Sequence, residues 1–387
     1  MNRKVFLVLR DTVKILLKPK SKIAKAFFSP LDLGMRSRIF FFALTISFQS
    51  SILSAQQSPL FEKISPSKTG ITFKNILKET PAANVLTYEY FYNGGGTAIG
   101  DVNNDGLDDI YFTANMGSNK LYLNQGNFKF QDITKSAGVS CNEGWKTGVT
   151  MADVNGDGYL DIYVCFSGKG NPDKRRNKLF INNGNLTFTD KAKEFGLDDP
   201  GYATHASFFD FDRDGDLDMY QLNHNVVVIR EIEYAKARET RDPYAGDKLF
   251  RNDDGRFKDI SEEAGIKGNP LGFGLGITVA DINKDGWLDM YVSNDYVEPD
   301  YLYINNHNGT FTDQMIDYMQ HISHFSMGCD ISDINNDEWP DIFTVDMLPE
   351  DNRRQKLLYG PENYEQYASM VLNGFYFQNM RNMLHLN

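Results

Sequence analysis

The sequence predicts an all-β fold built from repeated four-stranded antiparallel sheets, and three observations predict it. An acidic nonapeptide occurs five times: DVNNDGLDD (101–109), DVNGDGYLD (153–161), DFDRDGDLD (210–218), DINKDGWLD (281–289) and DINNDEWPD (333–341). Their starts lie 52, 57, 71 and 52 residues apart, a period that points to propellers or arrays. The flanks repeat as well. A glycine-rich apolar segment enters each nonapeptide (GGGTAIGD, TGVTMAD, HASFFD, GFGLGITVAD, FSMGCDISD), and a β-rich segment leaves it (IYFTAN, IYVCFSG, MYQLN, MYVSND, IFTVD). A third segment ends in a turn (KLYLNQGN, KLFINNGN, KLFRNDDG, YLYINNHNG), and a fourth closes the unit (FKFQDIT, TFTDKA, RFKDISEE, TFTDQM). Alternating aromatic and polar residues broken by Asn-Gly or Asp-Gly turns are strand and hairpin signals. Four such strands per repeat, with the acidic loop joining the first to the second, read as blades of a β-propeller.

Taken in order, residues 1–55 are expected to be a leader. Its core, 35–55, has a basic start at Arg36 and Arg38, an apolar stretch from Ile39 to Phe48 and small residues around Ala55, the layout of a secretory signal. Leu53 at minus three is larger than such a cleavage site prefers, and a membrane-tethered anchor is the alternative. Residues 1–34 are an overextended start upstream of Met35 or a further leader. Residues 56–92 are expected to supply N-terminal strands, and 93–387 about five blades. The third blade carries an insertion, VVVIREIEYAKARETRDPYAG, either a helix or a long loop. The fifth reaches RNMLHLN, which matches KLYLN and KLFIN of the third segments, and then stops without a fourth.

The chain carries 40 Lys and Arg against 52 Asp and Glu, but residues 1–55 hold ten of the bases and only Asp11 and Asp32 of the acids. The remainder is net −20, which argues against nucleic acid or anionic lipid as a partner unless cations intervene. No membrane span is expected in the mature chain. Three cysteines, Cys141, Cys165 and Cys329, give no disulfide framework.

The nonapeptides place oxygen donors at positions one, three, five and nine and a backbone carbonyl at seven. In the five loops these are Asp101, Asn103, Asp105, Leu107 and Asp109; Asp153, Asn155, Asp157, Tyr159 and Asp161; Asp210, Asp212, Asp214, Asp216 and Asp218; Asp281, Asn283, Asp285, Trp287 and Asp289; and Asp333, Asn335, Asp337, Trp339 and Asp341. An all-oxygen set on a sharply bent loop suits calcium; magnesium demands stricter octahedral geometry, and zinc would want His or Cys. An EF-hand would need Glu at position twelve, where Phe112, Val164, Gln221, Val292 and Thr344 stand. Four sites are expected, with a fifth weaker because Glu338 replaces the glycine of position six and Pro340 precedes Asp341. The ligand carboxylates number three per loop and four in the third, sixteen in all, and they repel one another without a cation. At millimolar calcium, a site near the tighter end of the extracellular range would stabilise the fold by about 1.4 kcal/mol.

The repeats resemble the FG-GAP/VCBS repeats of integrin-alpha-like propellers over about residues 93–387. YNGGGTAIGDVNNDGLDDIYFTAN and SMGCDISDINNDEWPDIFTVDMLPEDN are similar to exported bacterial proteins of the CRTAC/ASPIC–UnbV type. The resemblance implies calcium in the acidic loops, a ring of seven blades of which this chain holds an incomplete part, and adhesion or glycan recognition without established catalysis. An exported calcium-binding module for a glycan or extracellular protein is therefore expected. The alternative is a propeller hydrolase or lyase acting on polysaccharide, with its acids in inserted loops.

Other signals are weaker. GFGLG at 272–276 lacks the helix a nucleotide loop needs and fits close strand packing. HISH at 321–324 offers two transition-metal ligands or a plain surface or core role, and His205 and His224 line a face or sit buried and hydrogen-bonded. NLT (185–187) and NGT (308–310) are glycosylation acceptors or simply hairpin turns. Tyr296 and Tyr301 belong to a packed loop or stack on sugar rings. No GxSxG, HExxH or P-loop pattern occurs.

Overall fold

A computed structural model describes residues 60–227, 229–358 and 363–387; the leader segment 1–55 lies outside them. All elements below belong to the unit Ile64–Asn387. Four complete four-stranded antiparallel sheets follow one another. They are β1–β4 (Thr97–Gly100, Asp109–Phe112, Lys120–Asn124, Phe130–Asp132) and β5–β8 (Trp145–Ala152, Asp161–Ser167, Lys178–Asn182, Phe188–Asp190). Next come β9–β12 (Ala203–Phe209, Asp218–Asn223, Lys248–Asn252, Phe257–Asp259) and β13–β16 (Gly274–Ala280, Asp289–Asn294, Tyr301–Asn305, Phe311–Asp313). In each, the strands pair in chain order with the acidic loop between first and second.

The sheets stack as propeller blades do. The first strand of each packs on the first strand of the next, and the core fills the space between neighbouring sheets. Tyr111, Tyr163, Tyr220 and Tyr291, at one position of successive second strands, are each at most 1 % exposed and pack against the following blade. Glycine in the first strands permits this approach. A Cβ on Gly148 would lie 2.4 Å from the Thr204 carbonyl, and one on Gly276 would lie 2.8 Å from Gly328 Cα. GFGLG is thus a strand-packing element. Threonines stitch the same seam, with Thr147 and Thr150 hydroxyls each donating at 2.6 Å, to the Ala203 and Ala206 carbonyls.

The fifth sheet has three strands, β18 (Gly328–Ser332), β19 (Asp341–Val345) and β21 (Met383–His385), the last formed by the RNMLHLN segment. A parallel pair, β17 (Ile322–Ser323) and β20 (Gln378–Asn379), sits beside it in sequence. Two findings differ from expectation. Among the described residues 60–92 there are no strands. Pro66 opens a one-turn helix, α1 (Pro66–Thr69), and a 3-10 turn covers Glu89–Tyr92, since this segment lacks the two-residue alternation that would pair it in a sheet. The fifth blade also carries helices, α6 (Asn352–Leu358) and α7 (Asn363–Leu372), between its second and third strands, where no insertion was anticipated. The third-blade insertion is helical over α4 (Tyr234–Arg238). No helix among the described residues is long and apolar enough to cross a membrane.

Candidate functional site

Four of the five acidic loops share one hydrogen-bonded frame. In the first, second, fourth and fifth, the carboxylate at position one accepts the amides of positions five and six, as at Asp153 from Asp157 N (3.0 Å) and Gly158 N (2.8 Å). The carboxamide at position three donates to the carboxylate at five: Asn103 to Asp105 (3.0 Å), Asn155 to Asp157 (3.0 Å), Asn283 to Asp285 (2.8 Å) and Asn335 to Asp337 (2.8 Å). Position five in turn accepts the amide of position seven, at Leu107, Tyr159, Trp287 and Trp339. Position six has φ between +86° and +99° in the first four loops, and glycine stands there. Glu338 holds the same left-handed conformation at +72°, a strain of about 1–2 kcal/mol for a residue with a Cβ.

Position nine behaves differently from an exposed ligand. Asp109, Asp161, Asp218, Asp289 and Asp341 are all 0 % exposed. One oxygen of each accepts the amide of position two, from Val102, Val154, Phe211, Ile282 and Ile334. The other accepts the amide of an asparagine at the end of the third strand, from Asn124, Asn182, Asn252 and Asn305, or two residues past it, from Asn387. The residue predicted as a ligand is therefore also a latch between loop and third strand. Burial raises the Asp161 carboxyl to about 6.

The third loop departs from its relatives. Asp212 replaces the asparagine and cannot donate to its neighbour. Carboxylate oxygens of Asp210, Asp212 and Asp218 lie within 4.8 Å of one another. Oδ1 of Asp212 and Oδ1 of Asp216 are buried without a hydrogen-bond partner. Burial first, then the neighbouring carboxylates, raises Asp216 to about 6 and Asp218 to about 8. Orphaned, mutually repelling oxygens with no nitrogen or sulfur donor fit a hard divalent cation. Asp210, Asp212, Asp218 and the position-seven residue Asp216 would hold it.

The loops also touch one another through position four, which the repeat pattern did not flag. Asn104 donates to the Gly158 carbonyl (2.9 Å), Arg213 lies over the Trp287 ring (4.6 Å), and Lys284 donates to the Glu338 carbonyl (2.7 Å).

At the opposite ends of the strands lies a cavity of about 840 Å³. It is lined by segments that enter first strands or leave second strands, including Tyr88, Tyr90, Phe273, Tyr296 and Phe325, and by residues of α7 and of 378–380. Tyr296 thus faces a cavity, whereas Tyr301 is 2 % exposed and belongs to the core. Tyr296 and the aromatic run TYEYFYN at 87–93 were the local signals for this wall. His224 is buried beneath it, stacked on Tyr90 (4.8 Å) and bonded to Ser167 (2.8 Å), with burial lowering it to about 3. In HISH, His324 bonds Gln378 and the His321 ring lies tilted 6.3 Å from that of His385; the described residues bring no third metal donor to them. Asn185 and Asn308 accept from Thr187 and Thr310 within their turns.

The FG-GAP-like repeat model matches residues 101–164, 165–220, 237–292 and 281–344. Cartilage acidic protein 1 of Xenopus tropicalis is 33% identical over 52% of this chain and 29% of its own length. Integrin alpha-8 of Gallus gallus is 36% identical over 24% of this chain and 10% of its own. The chain thus spans under a third of the curated relatives it matches. The V. cholerae biofilm matrix protein Bap1 aligns with a TM-score of 0.34 at 13% identity over 66% of this chain and 35% of that one, too low to bear on function. Matched repeats, blade order and loop frame together place the chain in the FG-GAP-like repeat family.

Proposed function

We propose that this chain is an exported binding module whose acidic loops take calcium and whose partner is a glycan or an extracellular protein. The third loop carries the metal half of the reading, because two of its buried carboxylate oxygens lack a hydrogen-bond partner in a cluster of aspartates that Arg251 offsets only in part. Likeness to cartilage acidic protein 1 and integrin alpha-8 supports a binding role. Asp295, buried behind the cavity wall, has both oxygens engaged, by the Tyr90 hydroxyl (2.8 Å) and the Tyr296 amide (2.8 Å), and is not poised as a free acid or base. Export rests on the leader reading of residues 35–55.

Capture of the calcium-loaded full chain by immobilised glycans and extracellular matrix proteins, repeated after EGTA, tests the proposal. Capture that is lost on chelation and returns with calcium is expected. Capture indifferent to chelation, or none on either surface, would overturn it.

A further inference from the structure

We propose that the cavity opposite the acidic loops receives an organic cation, an ammonium group on an apolar stem; the assignment rests on the binding-module reading and narrows its ligand. Four rings form a continuous wall. Tyr90 meets Phe273 at 5.9 Å and Tyr296 at 6.4 Å, Phe273 meets Tyr296 at 5.0 Å, and Tyr296 meets Phe325 at 6.0 Å. Ring faces attract cations through their quadrupole, most strongly where water is displaced. Behind the wall, Asp295 is 2 % exposed, and no Lys or Arg pairs with it among the described residues. Glu89 lines the cavity and is exposed, with Lys169 as the cationic side chain at the rim. Asp346 adds a further carboxylate close enough to act on Asp295, and its Oδ1 is buried without a partner. Three carboxylates, Glu89, Asp295 and Asp346, against Lys169 bias the cavity negative, and the four rings give it an apolar wall.

A hydroxyl-rich ligand is less well served. Asn225 donates to the Pro270 carbonyl and accepts from Val227 N. Gln378 donates to the Val297 and Phe375 carbonyls and meets His324 through its oxygen. These two carboxamides have spent their hydrogen bonds within the protein. A cation needs ring faces and field, not free donors.

Calorimetric titration of the calcium-loaded full chain with n-butylammonium, n-pentanol and maltotriose tests this. Butylammonium is expected to bind at least about tenfold more tightly than the neutral alcohol, with Tyr296→Leu weakening it about fivefold. Glu89→Gln, an exposed change that leaves the fold alone, is expected to weaken it about twofold, and less at high salt. Equal binding of alcohol and ammonium, preference for the trisaccharide, or indifference to both variants would overturn the cation assignment. If capture by a glycan or protein persists in that event, the binding-module reading survives it; loss of capture would remove both.

Discussion

At the third position of the acidic nonapeptides four loops carry asparagine and one carries aspartate. The asparagines donate to the carboxylate two residues on, whereas Asp212 adds a charge and leaves Oδ1 without a partner. Asp212→Asn should therefore have opposite effects in two conditions. In EGTA the variant is expected to melt higher than the parent, by a stabilisation of about 1 kcal/mol, because it gains the hydrogen bond its relatives have and loses a repulsion. In saturating calcium its gain over the EGTA state is expected to be smaller than the parent's. Paired thermal melts read both signs. A variant less stable than the parent in EGTA would contradict the account of this loop. The spacing of donors was legible in the sequence because it is local. The consequence of aspartate for asparagine at position three was not, since it lies in which hydrogen bonds close.

Between loop and strand, position nine does work that its place in the motif conceals. Asp161 accepts from Val154 N (3.1 Å), close in sequence, and from Asn182 N (2.8 Å), a third-strand residue. Asn182 in turn donates through its side chain to the Val102 carbonyl of the preceding blade (2.7 Å). Removing the carboxylate strands two buried amides, each at about 1–3 kcal/mol. Asp161→Ala is thus expected to destabilise the protein by several kcal/mol in EGTA as well as in calcium, measured by chemical denaturation. If the carboxylate were a metal ligand and nothing more, the loss would vanish in EGTA. At this scale the sequence was informative about strands and turns, whose signals lie within each repeat. It was silent about the latch, which depends on a partner in another strand, and about α6 and α7, whose segment lacks a repeat to compare with. The aromatic cavity was hidden for the same reason, since its wall is assembled from several blades.

Over the whole molecule, the three free cysteines leave inter-blade packing and the loops to hold together a chain that is net −20 beyond residue 55. A buried carboxyl away from the loops gives this packing a pH dependence. Asp247 is 4 % exposed, accepts from Asn223 N (2.7 Å) and the Tyr220 hydroxyl (3.1 Å), and is raised to about 7 by burial, with Arg241 opposing. A carboxyl raised in the folded state favours folding when protonated. Its contribution is full below the unfolded value of about 3.9 and is lost as pH rises through about 7. Asp247→Asn is expected to narrow the difference in melting temperature between about pH 5.5 and about pH 8, and an unchanged difference would contradict the assignment. The central claim, that cations in the acidic loops hold the blades, is tested most directly by thermal unfolding of the full chain at rising calcium, with magnesium and EGTA in parallel. A midpoint that climbs with calcium, each site filled at tenfold its dissociation constant adding about 1.4 kcal/mol of stability, and that hardly moves with magnesium is the expected result. A cooperative transition whose midpoint ignores calcium would contradict it and leave the nonapeptides as hydrogen-bonded acidic turns.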